Sequence, residues 1–129
     1  YNGTIYGSEI GRGFDSLALQ PSEHLSAKEL AVAASVTFDA VNVQGQARIS
    51  YAPSLDLVDV CFERAVAGGA LTGNTLKQVT KDLEQARHLS DTGAAPRAIK
   101  AQLDNASRRV GGAAPDLTQA LADLTATLA

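Results

Sequence analysis

The residues that could do chemistry are few and scattered. The two histidines, His24 and His88, lie in different halves of the chain, and no His-x-x-x-His or Cys-x-x-Cys spacing occurs. A zinc site needs about four N, O or S ligands in tetrahedral reach, so the sequence predicts neither a metal nor a cofactor. The lone cysteine, Cys61, recurs at helical spacing with Leu57, Val58, Phe62 and Ala65. A reactive thiolate needs an accessible, electropositive setting with a base nearby. With Asp59 and Glu63 beside it, Cys61 reads as a small buried apolar side chain.

The carboxylates divide into two sets. Asp56, Asp59 and Glu63 fall on one face of a helix. Calcium takes about six to eight oxygens, usually from a curled loop, which a straight helix face does not supply. Acidic groups in a first turn do complement the helix dipole, and that role is expected here. Glu9, Asp15, Glu23, Glu29 and Asp39 precede them. Glycoside hydrolysis uses a pair of such groups, but nothing in the spacing selects two. Aromatic rings for sugar subsites are limited to Tyr1, Tyr6, Phe14, Phe38 and Tyr51. No catalytic residue is assigned, and the chain is read as a non-enzyme.

Lys77, Lys81, Arg87, Arg97, Lys100, Arg108 and Arg109 stud the second half. They could hold an anionic polymer. The simpler reading is a solvated face whose cations complement Asp82, Glu84 and Asp104 and whose terminal arginines favour a helix C-terminus. The glycines at 11, 13, 68–69 and 111–112 are turns, because no strand, glycine loop and helix precede a Lys-Ser/Thr pair.

The bulk composition narrows the classes further. The formal charge is −3, and each half is mildly acidic, with three basic and five acidic side chains in residues 1–54. A nucleic-acid binder needs a basic excess, so that class is set aside. No run approaches the roughly 18 apolar residues of a membrane span. Aromatics make up 5% of the chain and Trp and Met are absent, so any core must be built from Ala, Val, Leu and Ile. The start at Tyr1 without any methionine leads to the expectation that the chain is a piece of something longer.

The elements that would position these groups change character near Tyr51-Ala52-Pro53-Ser54. Before it, Thr4-Ile5-Tyr6, Leu17-Ala18-Leu19 and Leu30-Ala31-Val32-Ala33 are short β-prone runs. Val36, Phe38 and Ala40 alternate with polar residues, Val41-Asn42-Val43 follows, and Ala47, Ile49 and Tyr51 alternate again. After it the period is helical. Leu57, Val58, Cys61, Phe62 and Ala65 make a first stripe, and Leu76, Val79, Leu83, Ala86 and Leu89 a second. Ile99, Leu103, Ala106 and Val110 make a third, and Leu117, Leu121, Leu124 and Leu128 a fourth. Thr72 or Asn74 can cap the second helix, and Pro96 and Pro115 suit first turns. The expected fold is α+β. Residues 1–54 form the last rungs of a β-solenoid or a small β-meander, and residues 55–129 form a three- to four-helix antiparallel bundle.

Two resemblances accompany this reading. Asn2-Gly3-Thr4-Ile5-Tyr6-Gly7, Ser26-Ala27-Lys28-Glu29-Leu30-Ala31-Val32 and Ile49-Ser50-Tyr51-Ala52-Pro53-Ser54-Leu55 are similar, in order and spacing, to rungs of bacterial surface β-solenoids of the choice-of-anchor and PilX-like kind. Ala52 stands where that pattern has Asp, and Gly7-Ser8 where it has Ala-Pro. Residues 58–128 resemble the FIMAH domain, a helical module of secreted bacterial proteins. The matching frame is Ala65, Gly69-Ala70-Leu71-Thr72-Gly73, Leu76, Leu83, Ala86, Leu89, Gly93 and Ala98-Ile99-Lys100-Ala101-Gln102-Leu103.

These resemblances imply a non-catalytic, secreted or cell-surface module serving capping, adhesion or anchoring. The alternative is the accessory module of a secreted hydrolase whose catalytic domain lies upstream. A cell-wall polymer or polysaccharide is the expected partner, together with an upstream part of the same polypeptide. Neither nucleic acid nor membrane insertion is expected, and no binding residue is assigned. Ile49, Tyr51, Leu55, Val58 and Phe62 are the expected seam between the halves. Ice binding by a threonine array is disfavoured, because the first half holds only Thr4 and Thr37.

Overall fold

The computed structural model describes residues 2–40, 42–45 and 48–128, and it divides into two compact units, Tyr1–Ala52 and Pro53–Ala129. The first unit opens with a β-hairpin. Strands β1 (Thr4–Glu9) and β2 (Gly13–Ala18) pair antiparallel, with Ile5 opposite Leu17 and Ser8 opposite Phe14. The turn closes where Arg12 donates its backbone N–H to the Glu9 carbonyl at 3.3 Å.

A capped helix follows, α1 (Ala27–Ala34). The Glu29 N–H donates to Ser26 Oγ at 3.1 Å and the Ser26 N–H donates to Glu29 Oε2 at 2.8 Å, a reciprocal capping box. The expected strand over Leu30–Ala33 is therefore a helix. Alanine has the highest helix propensity, and the Ser-x-x-Glu spacing supplies the start that a short apolar run lacks.

Residues 36–40 and 48–51 show the expected alternation but no strand. An extended segment becomes a strand only when a neighbour completes its ladder. Among the described residues the hairpin is the one sheet. Among the described residues no solenoid rung is seen: solenoid rungs stack strands in parallel, whereas β1 and β2 pair antiparallel through a tight turn. Val41, Ala47 and the side chain of Val43 lie outside the described residues.

One side chain ties the start of this unit to residue 38. Asn2 donates from Nδ2 to the Phe38 carbonyl at 2.9 Å and accepts the Phe38 N–H on Oδ1 at 2.8 Å. The amide thus imitates a strand's own donor and acceptor. Asn2 sits at φ +49°, a left-handed conformation that asparagine tolerates better than most residues.

The second unit consists of α2 (Leu55–Ala67), α3 (Gly73–Asp91), α4 (Pro96–Val110) and α5 (Pro115–Thr127). Side-chain ties set their directions. Arg87, late in α3, reaches Asp56 at the start of α2, and Lys100, early in α4, reaches the Thr125 carbonyl late in α5. Short connections and these ties make successive helices antiparallel, with α2 closing against α5.

The α2 and α3 ends share one device. Gly69 donates to Val66 O and Ala70 to Ala65 O, and likewise Gly93 to Ser90 O and Ala94 to Leu89 O, the paired bonds of a Schellman turn. Gly69 and Gly93 take φ +72° and +68° to allow it. A Cβ on Gly93 would meet nothing within 4 Å, so Gly93→Ala isolates the backbone strain. It is expected to cost about 1–2 kcal/mol and to lower Tm by several degrees in a thermal circular-dichroism melt.

The core is aliphatic. Val58, Leu71, Val79, Leu103, Leu117 and Leu121 are fully buried, and Ala86 and Ala106 let α3 and α4 approach closely. Leu57, Cys61, Phe62, Leu76, Leu89 and Leu128 are half-buried against it. Leu71 and Ala114 belong to this core from the connections before α3 and α5, which helical periodicity does not reach. Of the expected seam residues, Leu55, Val58 and Phe62 pack within the helical unit's own core, while Ile49 and Tyr51 are exposed.

Candidate functional site

The reactive side chains do not converge. His24 is exposed beside Glu23 at 3.3 Å, and His88 lies in the last turn of α3. Among the described residues no group of three or more His, Cys, Asp or Glu could hold a metal ion. Cys61 is half-buried where α2 meets the start of α5. Burial raises its thiol pKa first, the charge of Asp116 adds to this, and Arg64 partly opposes it. The protonated thiol is favoured as expected, although the acting carboxylate is Asp116 from α5 rather than Asp59 or Glu63.

The charges of the bundle instead bind helix to helix. Arg87 donates from Nη1 to Asp56 Oδ1 at 2.9 Å and from Nη2 to Asp59 Oδ2 at 2.5 Å. Burial opposes the Arg87 charge, but the bonds to Asp59 and Asp56 outweigh it, so its pKa rises above the ordinary arginine value. Asp56 and Asp59 thus clasp a neighbouring helix in addition to sitting near their own helix start. Arg109 Nε donates to Asp82 Oδ2 at 2.7 Å, pairing two residues that the sequence had placed only on a solvated face. Lys100 Nζ donates to the Thr125 carbonyl at 3.0 Å, and Arg108 bonds Asn105 within its own helix. No buried side-chain polar atom among the described residues lacks a partner.

Hollows among the described residues of the bundle include two of modest size. One, of about 280 Å³, lies between Leu55, Arg87, Ile99 and Leu128. The other, of about 200 Å³, lies between Cys61, Ala70, Pro115 and Asp116. Both fall below the roughly 300–1,000 Å³ of ligand pockets.

Most of the large exposed apolar side chains among the described residues, Ile5, Tyr6, Ile10, Phe14 and Leu17, lie on the hairpin. Strand side chains alternate between faces. One face carries Thr4, Tyr6 and Ser8 from β1 with Phe14, Ser16 and Ala18 from β2. Tyr6 and Phe14 stack diagonally, ring centroids 5.5 Å apart and planes 21° from parallel. They remain 50% and 68% exposed, so the pair covers itself only in part. This face holds two rings and several hydroxyls and bears no charge. The opposite face sets Ile5 and Leu17 beside Glu9 and Asp15.

Sequence reading counted Tyr6 and Phe14 among thinly spread aromatics. Their pairing depends on strand register, which a turn at Ile10-Gly11-Arg12 could have suggested. No protein-family model, no curated protein and no solved structure matches the chain.

Proposed function

We propose that this chain is a non-catalytic adhesion or anchoring module of a secreted or cell-surface protein, and that its hairpin contacts a polysaccharide or cell-wall polymer. The observation that carries this reading is the uncharged face of Tyr6, Phe14, Thr4, Ser8 and Ser16. Sugar rings present apolar C–H faces that pack on aromatic rings, and their hydroxyls exchange hydrogen bonds with Ser, Thr and Tyr. A face without charge suits a neutral polymer, since no buried ion has to be paired on binding. Stacking of this kind contributes through area and ring geometry.

The helical half then serves as a scaffold, in keeping with charges that tie helix to helix. A FIMAH-like role for residues 55–129 belongs to this proposal. So does an upstream β-structure of the same polypeptide, for which the second hairpin face supplies an apolar pair, Ile5 and Leu17, beside Glu9 and Asp15. The same surface would serve the accessory module of a secreted hydrolase.

Co-sedimentation with insoluble neutral polysaccharides and with bacterial cell walls tests the reading. The native chain is expected to bind saturably, and Tyr6→Ala with Phe14→Ala to weaken binding at least tenfold, from about 1–1.5 kcal/mol per lost ring. Binding that survives the double substitution removes the hairpin from the site. Failure of the native chain to bind any of the polymers overturns the adhesion reading.

A further inference from the structure

The four seams of the bundle are unequal. The α3–α4 interface is the most extensive, α4–α5 and α2–α5 are intermediate, and α2–α3 is the thinnest. Among the described residues Val58 is the one α2 side chain in the bundle's buried core cluster, with Leu55, Leu57, Cys61, Phe62, Ala65 and Val66 only half-buried against it, whereas α4 places Ile99, Leu103, Ala106 and Val110 fully within it. The thin seam is crossed by one guanidinium on two carboxylates, Arg87 to Asp56 and Asp59.

Both carboxylates lie in the first turns of α2, directly after Pro53-Ser54, where the chain enters the bundle. At its other end α2 stops at Gly68-Gly69, with Gly69 in the left-handed region. A helix with a sparse seam on one side, a polar clasp at its entry and a glycine pair at its exit has the parts of a strap that opens without unfolding the rest.

The geometry points to α2 as a releasable strap, with Arg87 on Asp56 and Asp59 as its latch and Gly68-Gly69 as its hinge. Opening uncovers the sides of α5 and α3 that α2 packs against, and it exposes Cys61. Because the strap is covalently continuous with Pro53, a pull on the chain from its N-terminal side acts first on the latch. Local openings of this kind occur with lower free energies than global unfolding. This inference does not depend on the polysaccharide reading.

Hydrogen exchange of the full 129-residue chain, resolved by peptide and followed at low denaturant, tests it. Amides of α2 are expected to exchange faster than those of α3 and α4 under native conditions. The Arg87→Gln variant is expected to speed α2 exchange a further twofold to fivefold, about the size of a partly exposed charge tie, while the α3–α4 rates change less. Labelling of Cys61, the chain's one thiol, is expected to accelerate in parallel with α2 exchange. One common exchange rate for α2, α3 and α4 overturns the strap. Faster α2 exchange whose ratio to α3–α4 is unchanged by Arg87→Gln overturns the latch. The ratio remains informative even if the variant is less stable as a whole.

Discussion

Replacing Leu103 with alanine is expected to lower the melting temperature of the helical unit more than any exposed or half-buried substitution. Leu103 is fully buried at the middle of α4, the helix that packs on both α3 and α5. Truncating a buried leucine removes its transfer free energy and leaves a cavity, together about 2–5 kcal/mol. In a unit of this size that corresponds to a fall of roughly 10–30 °C. Leu128→Ala gives the contrast, since Leu128 is half-buried at the end of α5, and it is expected to cost less than about 2 kcal/mol. Phe62→Ala should fall between them, because Phe62 also packs only half-buried. Thermal and urea melts of the three variants check the order, and a Leu103→Ala melt no lower than that of Leu128→Ala would contradict the core described.

The second large effect is an asymmetry. Asp82 and Arg109 share one bond, but the Asp82 side chain is 10% exposed and that of Arg109 42%. Arg109→Leu strands a carboxylate that is nearly sealed from water. Breaking a buried pair costs about 3–5 kcal/mol, and the partial access of this pair reduces the expectation to about 2–3 kcal/mol. Asp82→Leu strands only a guanidinium that can turn into solvent on its apolar stem, so about 1 kcal/mol or less is expected. In the double variant neither charge is stranded, and stability should return to within about 1 kcal/mol of the native chain. The cycle is read from urea midpoints at fixed m. Equal losses in both single variants would show that the burial of Asp82 does not govern the pair.

The two halves were unequally legible from sequence. In the helical half the period survives because each helix buries one stripe: Val79, Leu83, Ala86, Ile99, Leu103, Ala106 and Val110 all fell on expected stripes and all are buried. Short connections with glycine and proline then left antiparallel neighbours as the available packing. What periodicity could not carry was the partner of each charge. Asp59 with Arg87 and Asp82 with Arg109 are separated by 28 and 27 residues, and helix rotation, not spacing, brings them together.

The first half misled for two physical reasons. Leu30–Ala33 looked like a strand because a short apolar run fits either structure, and the capping pair Ser26 and Glu29 was the discriminating signal. Residues 36–40 alternate as strands do, yet alternation describes only one chain of a pair. The aromatic face of the hairpin was hidden for the same reason. Tyr6 and Phe14 meet only once the register sets Ser8 opposite Phe14.

The most direct test of the proposed function is to follow amide resonances of the full chain by NMR while adding soluble neutral oligosaccharides. Shifts concentrated on residues 4–18, strongest near Tyr6 and Phe14 and absent in the double alanine variant, are the predicted result. Saturable shifts confined to α2–α5, or no shifts with any neutral oligosaccharide, would contradict an adhesive hairpin.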